Sequence, residues 1–241
     1  MQSVIFKDLG VIDYKSAWDY QEKLLQQNVA VKTVLRNDPE NFLKVNTQHY
    51  FLLCEHLPVY TLGKSGDMKN FLLSEEELAS ENIEFFKTNR GGDITFHGAQ
   101  QIVGYPILDL EKFYTDIGKY LRNLEEVVIL TLIEFGIKAA RSLGETGVWI
   151  NPDIKGKERK ICAIGVRCSR WITMHGFALN VNTDLNYFKK IIPCGIQNKE
   201  VTSIEREIGR KVDFEEVKEK IKENFMKVFS VEFLREEIKT L

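Results

Sequence analysis

Cysteine is the strongest candidate nucleophile in this sequence, and a reactive thiol needs partial exposure and nearby positive charge. Cys162 and Cys168 lie an even number of residues apart on one predicted strand and so share a face, and Cys54 lies in an apolar run. Core packing is therefore favoured for most of the cysteines. Cys194 instead lies between Pro193 and Gly195, a turn context that presents a side chain at the end of an element. Cys194 is therefore the candidate nucleophile. The alternative is that it is a loop cysteine with no catalytic role. The chain has no CxxC pair among its four cysteines: Cys54, Cys162, Cys168 and Cys194.

A thiol also needs a base or a cation beside it. The candidates are the histidines and those lysines that can be desolvated in a pocket. Lys160 borders the apolar run ICAIG and can point inward from a strand end, whereas Lys155 and Lys157 are expected to stay solvated. A solvated Lys160 without a role remains the alternative. The four histidines of the chain are His49, His56, His97 and His175.

The segment Arg90–Gly98, RGGDITFHG, joins two predicted strands and is a candidate binding loop. Its glycine pair lets the backbone approach a ligand closely. The alternative, about equally compatible with the sequence, is a structural turn in which the glycines only supply positive φ angles. The segment has neither the Walker A pattern nor GxGxxG spacing, so it gives little support to nucleotide binding. No H-x3-H or C-x2-C spacing supports a metal site built from His97, His175 and Cys194, and we expect no metal.

The composition is that of an ordinary globular protein of 241 residues, with 44% hydrophobic and 28% charged residues. A formal net charge of -2 provides no global field for nucleic acid or an anionic membrane, so we expect neither as a partner. The N-terminal residues carry no secretory signal, and no apolar stretch reaches the length of a membrane span. We expect a cytoplasmic protein with a single domain over residues 1–241.

Helices are predicted from Asp13 to about Arg36, over a short segment that begins with the capping box of Ser74 and Glu77, from Ile117 to Phe135 with Gly136 as the stop, and after Asp213. Between them, apolar runs at 50–54, 83–89 and 101–110 predict strands, and 147–182 predicts consecutive hairpins. Helices that flank strands joined by short turns favour an α+β fold with a mixed β-sheet.

Five blocks together resemble the lipoyl(octanoyl) transferase family and occur in that family's order. They are EHLPVYTLGK at 55–64, RGGDITFHG at 90–98, RKICAIGVR at 159–167, HGFALNVNTDL at 175–185 and PCGI at 193–196. The resemblance implies the mixed-sheet fold of the biotin and lipoate protein ligases. It also implies transfer of an octanoyl group from acyl carrier protein to a lysine of lipoyl domains, in 2-oxoacid dehydrogenase complexes and glycine cleavage H protein, without a cofactor.

The resemblance also implies the roles of individual residues. Cys194 matches the family's acyl-accepting cysteine, and Lys160 matches its catalytic partner. The substrate-binding positions lie in three blocks: Arg90, Gly91, Gly92, Asp93, Ile94, Thr95, Phe96 and His97; Ala163, Ile164 and Gly165; Gly176, Phe177 and Ala178. A covalent intermediate on the cysteine would split the transfer into two half-reactions that use one site in turn, which predicts ping-pong kinetics.

Two positions depart from the family's pattern. Family members usually read HGPGQ where this chain has His97-Gly98-Ala99-Gln100-Gln101, which changes the backbone freedom of that edge of the pocket. The family's LGR is LGK here, so Lys64 keeps the charge and changes the hydrogen-bond geometry. Neither departure touches Cys194 or Lys160.

Two other functions are compatible with such a chain. An ATP-dependent lipoate protein ligase would share the fold but needs no cysteine nucleophile, so the retained PCG motif and lysine favour the transferase. A catalytically silent module that binds acyl carrier or lipoyl domains would bind these partners without turnover.

Overall fold

A computed structural model describes residues 1–38, 40, 45–192 and 200–234 of the chain. Five helices are formed in this part: α1 (Tyr14–Asn37), α2 (Glu75–Glu81), α3 (Ile117–Glu134), α4 (Ile204–Ile208) and α5 (Phe214–Phe229). The strands are β1 (Gln2–Ile12), β2 (His49–His56), β3 (Val59–Leu62), β4 (Glu84–Lys87), β5 (Ile94–His97), β6 (Gln101–Ile107), β7 (Val148–Ile150), β8 (Arg159–Ser169), β9 (Ile172–Asn180), β10 (Glu200–Val201) and β11 (Val231–Leu234). Among the described helices, none is both long and apolar enough to cross a membrane.

The main sheet has eight strands in the order β10-β8-β9-β6-β2-β1-β11, with β7 paired to β8 beside this path. Pairing is parallel for β1 with β2 and β11 and for β10 with β8, and antiparallel for the other pairs. A smaller three-stranded sheet has the order β4-β3-β5. The predicted α+β fold with a mixed sheet and flanking helices is confirmed, and the second sheet was not predicted.

Alternation along β2 explains why its run YFLLC is apolar throughout. Phe51 and Leu53 belong to the core beneath α3 and α5, whereas Leu52 and Cys54 belong to the core beneath α1. Successive side chains of a strand point to opposite faces, so a strand covered on both faces buries every residue. The sheet is thus a middle layer between α1 on one face and the α3–α5 pair on the other.

The predicted helix starts are confirmed by their caps. The Asp13 carboxylate accepts a hydrogen bond from the Ser16 backbone N–H at 2.8 Å, and Ser74 with Glu77 forms a complete capping box. Asp213 accepts from two N–H groups in the first turn of α5. Each cap satisfies donors that a helix leaves unpaired at its N-terminus, so these positions are fixed locally by sequence.

Candidate active site

The Arg90–Gly98 segment leads into β5 and packs against glycines of two other elements. A Cβ at Gly63 would lie 2.2 Å from the Gly92 carbonyl oxygen, and a Cβ at Gly165 would lie 2.7 Å from the Gly91 carbonyl oxygen. Neither position therefore tolerates a side chain while the segment stays in place. The close backbone approach expected of this segment is made here to the protein's own strands.

Arg90 is 7% exposed, and its guanidinium anchors the segment from within. Its Nη2 donates to the Thr61 carbonyl oxygen at 2.5 Å and to the Thr61 hydroxyl at 2.9 Å. Hydrogen bonds from a charged donor are among the stronger ones in a protein interior. They hold the segment against the end of β3.

A cavity of about 270 Å³ opens between this segment and strands β6, β8 and β9. Most of the predicted substrate-binding residues line it: Arg90, Gly92, Asp93, Ile94, Thr95, His97, Ala163, Ile164, Gly165, Gly176, Phe177 and Ala178. Phe96 packs in the core of the small sheet, stacked on Tyr187 at 4.3 Å, and Gly91 donates its N–H to the Val166 carbonyl. The binding roles of Phe96 and Gly91 stay predictions, since neither residue lines the cavity.

Lys160 lines the same cavity, as the position of its strand end predicts. It lies on β8 between two partner strands, opposite Trp149 of β7 and Val201 of β10. Its ammonium is 4.6 Å from the centroid of the Trp149 ring, a distance at which the ring face attracts a cation. The Thr202 N–H donates to the Lys160 carbonyl at 2.9 Å. The backbone of Lys160 is thus fixed on both sides.

Cys194, the predicted nucleophile, lies outside the described residues. The described chain on either side of the PCG motif is tied to the cavity region. Ile192 donates its N–H to the Asn70 carbonyl at 2.8 Å, and Glu200 and Val201 pair with Arg159 and Lys160.

The three described cysteines fit the expectation of unreactive thiols. Burial raises the pKa of Cys54 and of Cys162, and both pack in hydrophobic clusters. Burial also raises the pKa of Cys168, which is only partly buried. A thiol held protonated is a poor nucleophile, so burial disfavours these three positions for that role.

The histidines near the cavity are neutral at physiological pH. Burial lowers the pKa of His56 to about 4 and that of His175 to about 3, and it lowers the pKa of His97 well below its ordinary value. His56 accepts a hydrogen bond from the Tyr105 hydroxyl at 2.7 Å, and His97 bonds Gln101 at 2.8 Å. In the described part of the chain, no group of three His, Cys, Asp or Glu residues is placed to hold a metal ion.

Sequence reasoning missed several residues that line the cavity. His175 of the block HGFALN was considered as a base and as a metal ligand but not as a substrate contact, and Asn180 of that block was not singled out. Gln101 was noted in the segment that departs from HGPGQ, without a binding role. The others carried no signal: Tyr14, Val103, Tyr105, Glu145, Thr146, Phe188 and Val201.

A buried chain of hydrogen bonds joins these residues to the Lys160 strand. Gln101 links His97 to Asn180, whose amide donates to the Thr202 carbonyl at 3.0 Å. Thr202 in turn donates to the Lys160 carbonyl. The cavity wall and the Lys160 backbone are therefore parts of one polar network.

Gln100 stands where the HGPGQ pattern has glycine, and its backbone conformation reflects this. Gln100 adopts a left-handed conformation with φ of 62°, which a residue with a side chain adopts at a cost of about 1–2 kcal/mol. Its N–H donates to the Glu55 carboxylate at 2.6 Å, and its carbonyl accepts from Val181, Asn182 and Thr183. These bonds hold Gln100 in its left-handed conformation.

Comparison with known proteins agrees with this geometry. The family described as lipoyl protein ligase A/B catalytic domain matches residues 13–226. An octanoyltransferase of Christiangramia forsetii is 56% identical over 232 residues, covering 96% of this chain and 97% of the relative. An octanoyltransferase of Flavobacterium psychrophilum is 57% identical over 229 residues, covering 95% of this chain and 97% of the relative.

Solved structures show the same fold at low sequence identity. A bipartite lipoate protein ligase from Thermoplasma acidophilum superimposes with a TM-score of 0.67 at 15% identity, covering 99% of this chain and 87% of that one. A biotin protein ligase from Aquifex aeolicus gives 0.50 at 14% identity, covering 95% and 71%. The fold predicted from the resemblance is confirmed, and the chain belongs to the lipoyl protein ligase A/B catalytic-domain family, among its octanoyltransferases.

Proposed function

We propose that this protein transfers an octanoyl group from acyl carrier protein to a lysine of lipoyl domains, through a thioester on Cys194, in the cytoplasm. The acceptors are the lipoyl domains of 2-oxoacid dehydrogenase complexes and glycine cleavage H protein. The whole chain acts as one catalytic domain and needs no cofactor. Relatives named octanoyltransferases at 56–57% identity over nearly the whole chain support the acyl transfer.

One observation carries the proposed site. Lys160 faces a cavity with apolar walls, and the strand that follows the PCG motif pairs directly beside it. Ile164, Phe177 and Val103 supply apolar surface for an alkyl chain. Each methylene buried there contributes about 0.8 kcal/mol. The cavity thus suits a medium-length acyl chain with its reactive end at Lys160.

In the first half-reaction, the Cys194 sulfur attacks the thioester carbonyl of the loaded carrier. A new carbon–sulfur bond forms to Cys194, and the bond to the carrier sulfur breaks. Lys160 takes the Cys194 proton and gives it to the departing carrier sulfur. One thioester replaces another, so this step is close to neutral and needs no ATP.

In the second half-reaction, the lysine of the lipoyl domain attacks the same carbonyl. A carbon–nitrogen bond forms, the bond to Cys194 breaks, and the amine's proton passes through Lys160 to the cysteine sulfur. An amide is more stable than a thioester, so this step runs downhill. Two carriers that use one site in turn give ping-pong kinetics.

Intact mass after incubation with octanoyl-loaded carrier tests the proposal. We expect an octanoyl adduct without ATP in the parent protein and no adduct in Cys194→Ser. An adduct that requires ATP and free octanoate would support a ligase, and binding of the carrier without any adduct would support a silent module. An adduct that persists at another cysteine in Cys194→Ser would overturn the assignment of Cys194.

A further inference from the structure

Glu145 brings a carboxylate to the cavity that the proposed reaction does not use. It is partly exposed and lines the same cavity as Lys160. Among the described residues that line the cavity, the other acid is Asp93. One oxygen of Asp93 accepts the Ile94 N–H at 2.7 Å, and the other accepts a hydrogen bond from the Asn70 amide at 2.6 Å. Asp93 therefore holds the start of β5, and Glu145 is the acid of the cavity that is placed to meet a substrate.

The loop that carries Glu145, residues 141–147, is fixed at its base. Ala140 and Trp149 exchange backbone hydrogen bonds of 2.8 and 2.9 Å across it. The buried Glu125 carboxylate pairs with the guanidinium of the first loop residue at 3.1 Å and accepts the N–H of the last one at 3.0 Å. A loop held at both ends presents its side chains from a fixed backbone.

This loop runs from solvent to the part of the cavity that contains Lys160. Leu143 at its tip is 99% exposed. A Cβ at Gly147 would lie 3.5 Å from Cε of Lys160. Glu145 lies midway along the chain between Leu143 and Gly147, so its backbone is at most about 7 Å from that of Gly147. Glu145 is thus placed between the open rim and Lys160.

The second half-reaction brings a positive charge into the cavity, and the first does not. The thioester group of the carrier is neutral, whereas a lysine side chain, with its ordinary pKa of about 10.4, arrives as an ammonium. Arg90 also lines the cavity and is always charged, so it disfavours the entry of a second cation. A nearby carboxylate offsets this repulsion. Its two oxygens provide about four acceptor positions, so Glu145 can bind an ammonium alongside its other contacts.

We propose that Glu145 binds the ammonium group of the lipoyl-domain lysine and places it beside the thioester carbonyl. One proton of the ammonium passes to solvent before the attack, and a second follows the route through Lys160 to the Cys194 sulfur. Because a carboxylate favours the charged form of its partner, Glu145 strengthens binding and not the attack itself. The inference rests on the proposed function, since it needs the thioester on Cys194, and it assigns Glu145 to the second half-reaction alone.

Glu145→Gln tests the inference, because the amide keeps the shape of the side chain and removes its charge. The octanoyl adduct is formed with loaded carrier, the carrier is removed, and loss of the adduct is followed by intact mass at increasing concentrations of a lipoyl domain. We expect the half-saturating concentration of the lipoyl domain to rise at least about tenfold, the effect of one lost charged hydrogen bond. The maximum rate should stay within about threefold, and adduct formation from the loaded carrier should match the parent protein.

Two further variants and a second nucleophile serve as controls. Asp153→Asn removes the same charge from the turn between β7 and β8, where the side chain is exposed and does not line the cavity, so its half-saturating concentration should equal that of the parent protein. Glu145→Asp keeps the charge and should retain part of the affinity. Hydroxylamine, a small nucleophile that is neutral at pH 7, should release the octanoyl group from the Glu145→Gln adduct at the parent's rate.

Three results would contradict the inference. An unchanged half-saturating concentration in Glu145→Gln would show that the carboxylate does not bind the incoming lysine. Equal slowing of both half-reactions would show that Glu145 acts through Lys160 or through the fold, and a matching loss of reactivity towards hydroxylamine would show damage to the thioester site. Failure of the parent protein to form any adduct would instead contradict the proposed function.

Discussion

Lys160 and His175 line the same cavity from the paired strands β8 and β9, and they are held in different ways. Lys160 is partly exposed, with its ammonium against the Trp149 ring. His175 is buried, its Nε2 and backbone N–H are hydrogen-bonded, and burial together with the charges of Arg90 and Arg167 lowers its pKa to about 3. Lys160 therefore stays in contact with solvent, whereas His175 is shielded from it.

The difference bears on what each residue can do in the proposed reaction. Proton transfer by Lys160, as proposed, requires a side chain that the reacting groups can reach. A buried and hydrogen-bonded group such as His175 is instead fixed in place and shapes the cavity wall.

Substitution of Lys160 should produce the largest effect. Lys160→Arg keeps a positive charge, but a guanidinium stays protonated and cannot accept a proton from the attacking amine. We expect transfer to the lipoyl domain to fall by roughly 10²- to 10⁴-fold, the range usual for loss of a general acid or base. Steady-state transfer rates measure the effect, and near-normal turnover would show that fixed charge suffices.

Lys160→Ala with added small amines separates proton transfer from a poor fit of the larger guanidinium. If a free amine takes over the proton, the rate of the alanine variant rises with amine concentration. No recovery at any amine concentration would argue against a shuttle role.

The buried histidines should make stability depend on pH. Their pKa values in the folded state, about 4 for His56 and about 3 for His175, lie below the ordinary 6.5. At pH values between the folded and the unfolded pKa, the unfolded chain binds more protons than the folded protein. The stability that is present above pH 6.5 is therefore lost as the pH falls towards 4. The loss at pH 5 is on the order of 2 kcal/mol for each histidine.

Urea unfolding at pH 7 and pH 5 measures this loss. His56→Gln is the informative variant, since it removes one titrating group and should reduce the difference between the two pH values. Equal stability of the parent protein at both pH values would show that these histidines are not held neutral.

The sequence predicted the elements whose determinants are local. Asp13, Ser74 and Asp213 mark helix starts because a cap needs only nearby backbone groups. The inward position of Lys160 followed from its place at the border of an apolar strand. β1 and β11 were not predicted. Gln2 pairs with Val231, and neither segment carries a sequence signal for a partner so distant in the chain.

The interior of the cavity was less predictable for the same reason. Tyr14 and Tyr105 come from α1 and β6, and only the packed fold brings them to one wall. The facing of Ala163 with Ala178 depends on strand register, which the hairpin prediction did not fix. The left-handed backbone of His175 had no signal, since a histidine inside an apolar strand predicts an extended conformation.

The carboxylate of Glu125 stabilises the turn that borders the Lys160 side chain. This fully buried carboxylate of α3 accepts the Gly147 N–H at 3.0 Å and pairs with Arg122 and Arg141. A Cβ at Gly147 would lie 3.5 Å from Cε of Lys160, so the turn borders the lysine side chain. Glu125→Ala leaves a buried N–H without an acceptor and should cost about 1–3 kcal/mol in free energy of unfolding.

Glu125→Gln is the matched control for urea unfolding, because its amide oxygen can still accept from Gly147. We expect it to retain more stability than Glu125→Ala. If both variants lost the same amount, the ion pairs with the arginines, and not the bond to Gly147, would account for the effect.

The smallest expected effect on the transfer rate comes from the charged turn between β7 and β8. The sequence gives 153–171 a local charge of +4, but Arg159 pairs with Glu207 at 2.9 Å and Arg167 with Glu22 at 2.7 Å. Lys155 and Lys157 remain exposed. We expect both the acyl carrier protein and the lipoyl domains to be acidic. If they dock here, Lys155→Glu with Lys157→Glu should slow transfer a few-fold through slower encounter, and the defect should shrink as salt screens the charges. Lys15→Glu with Lys23→Glu makes the same charge change on α1 and should have no such effect. A defect of equal size at low and high salt would place the docking surface elsewhere, because only a long-range charge effect on encounter disappears with ionic strength.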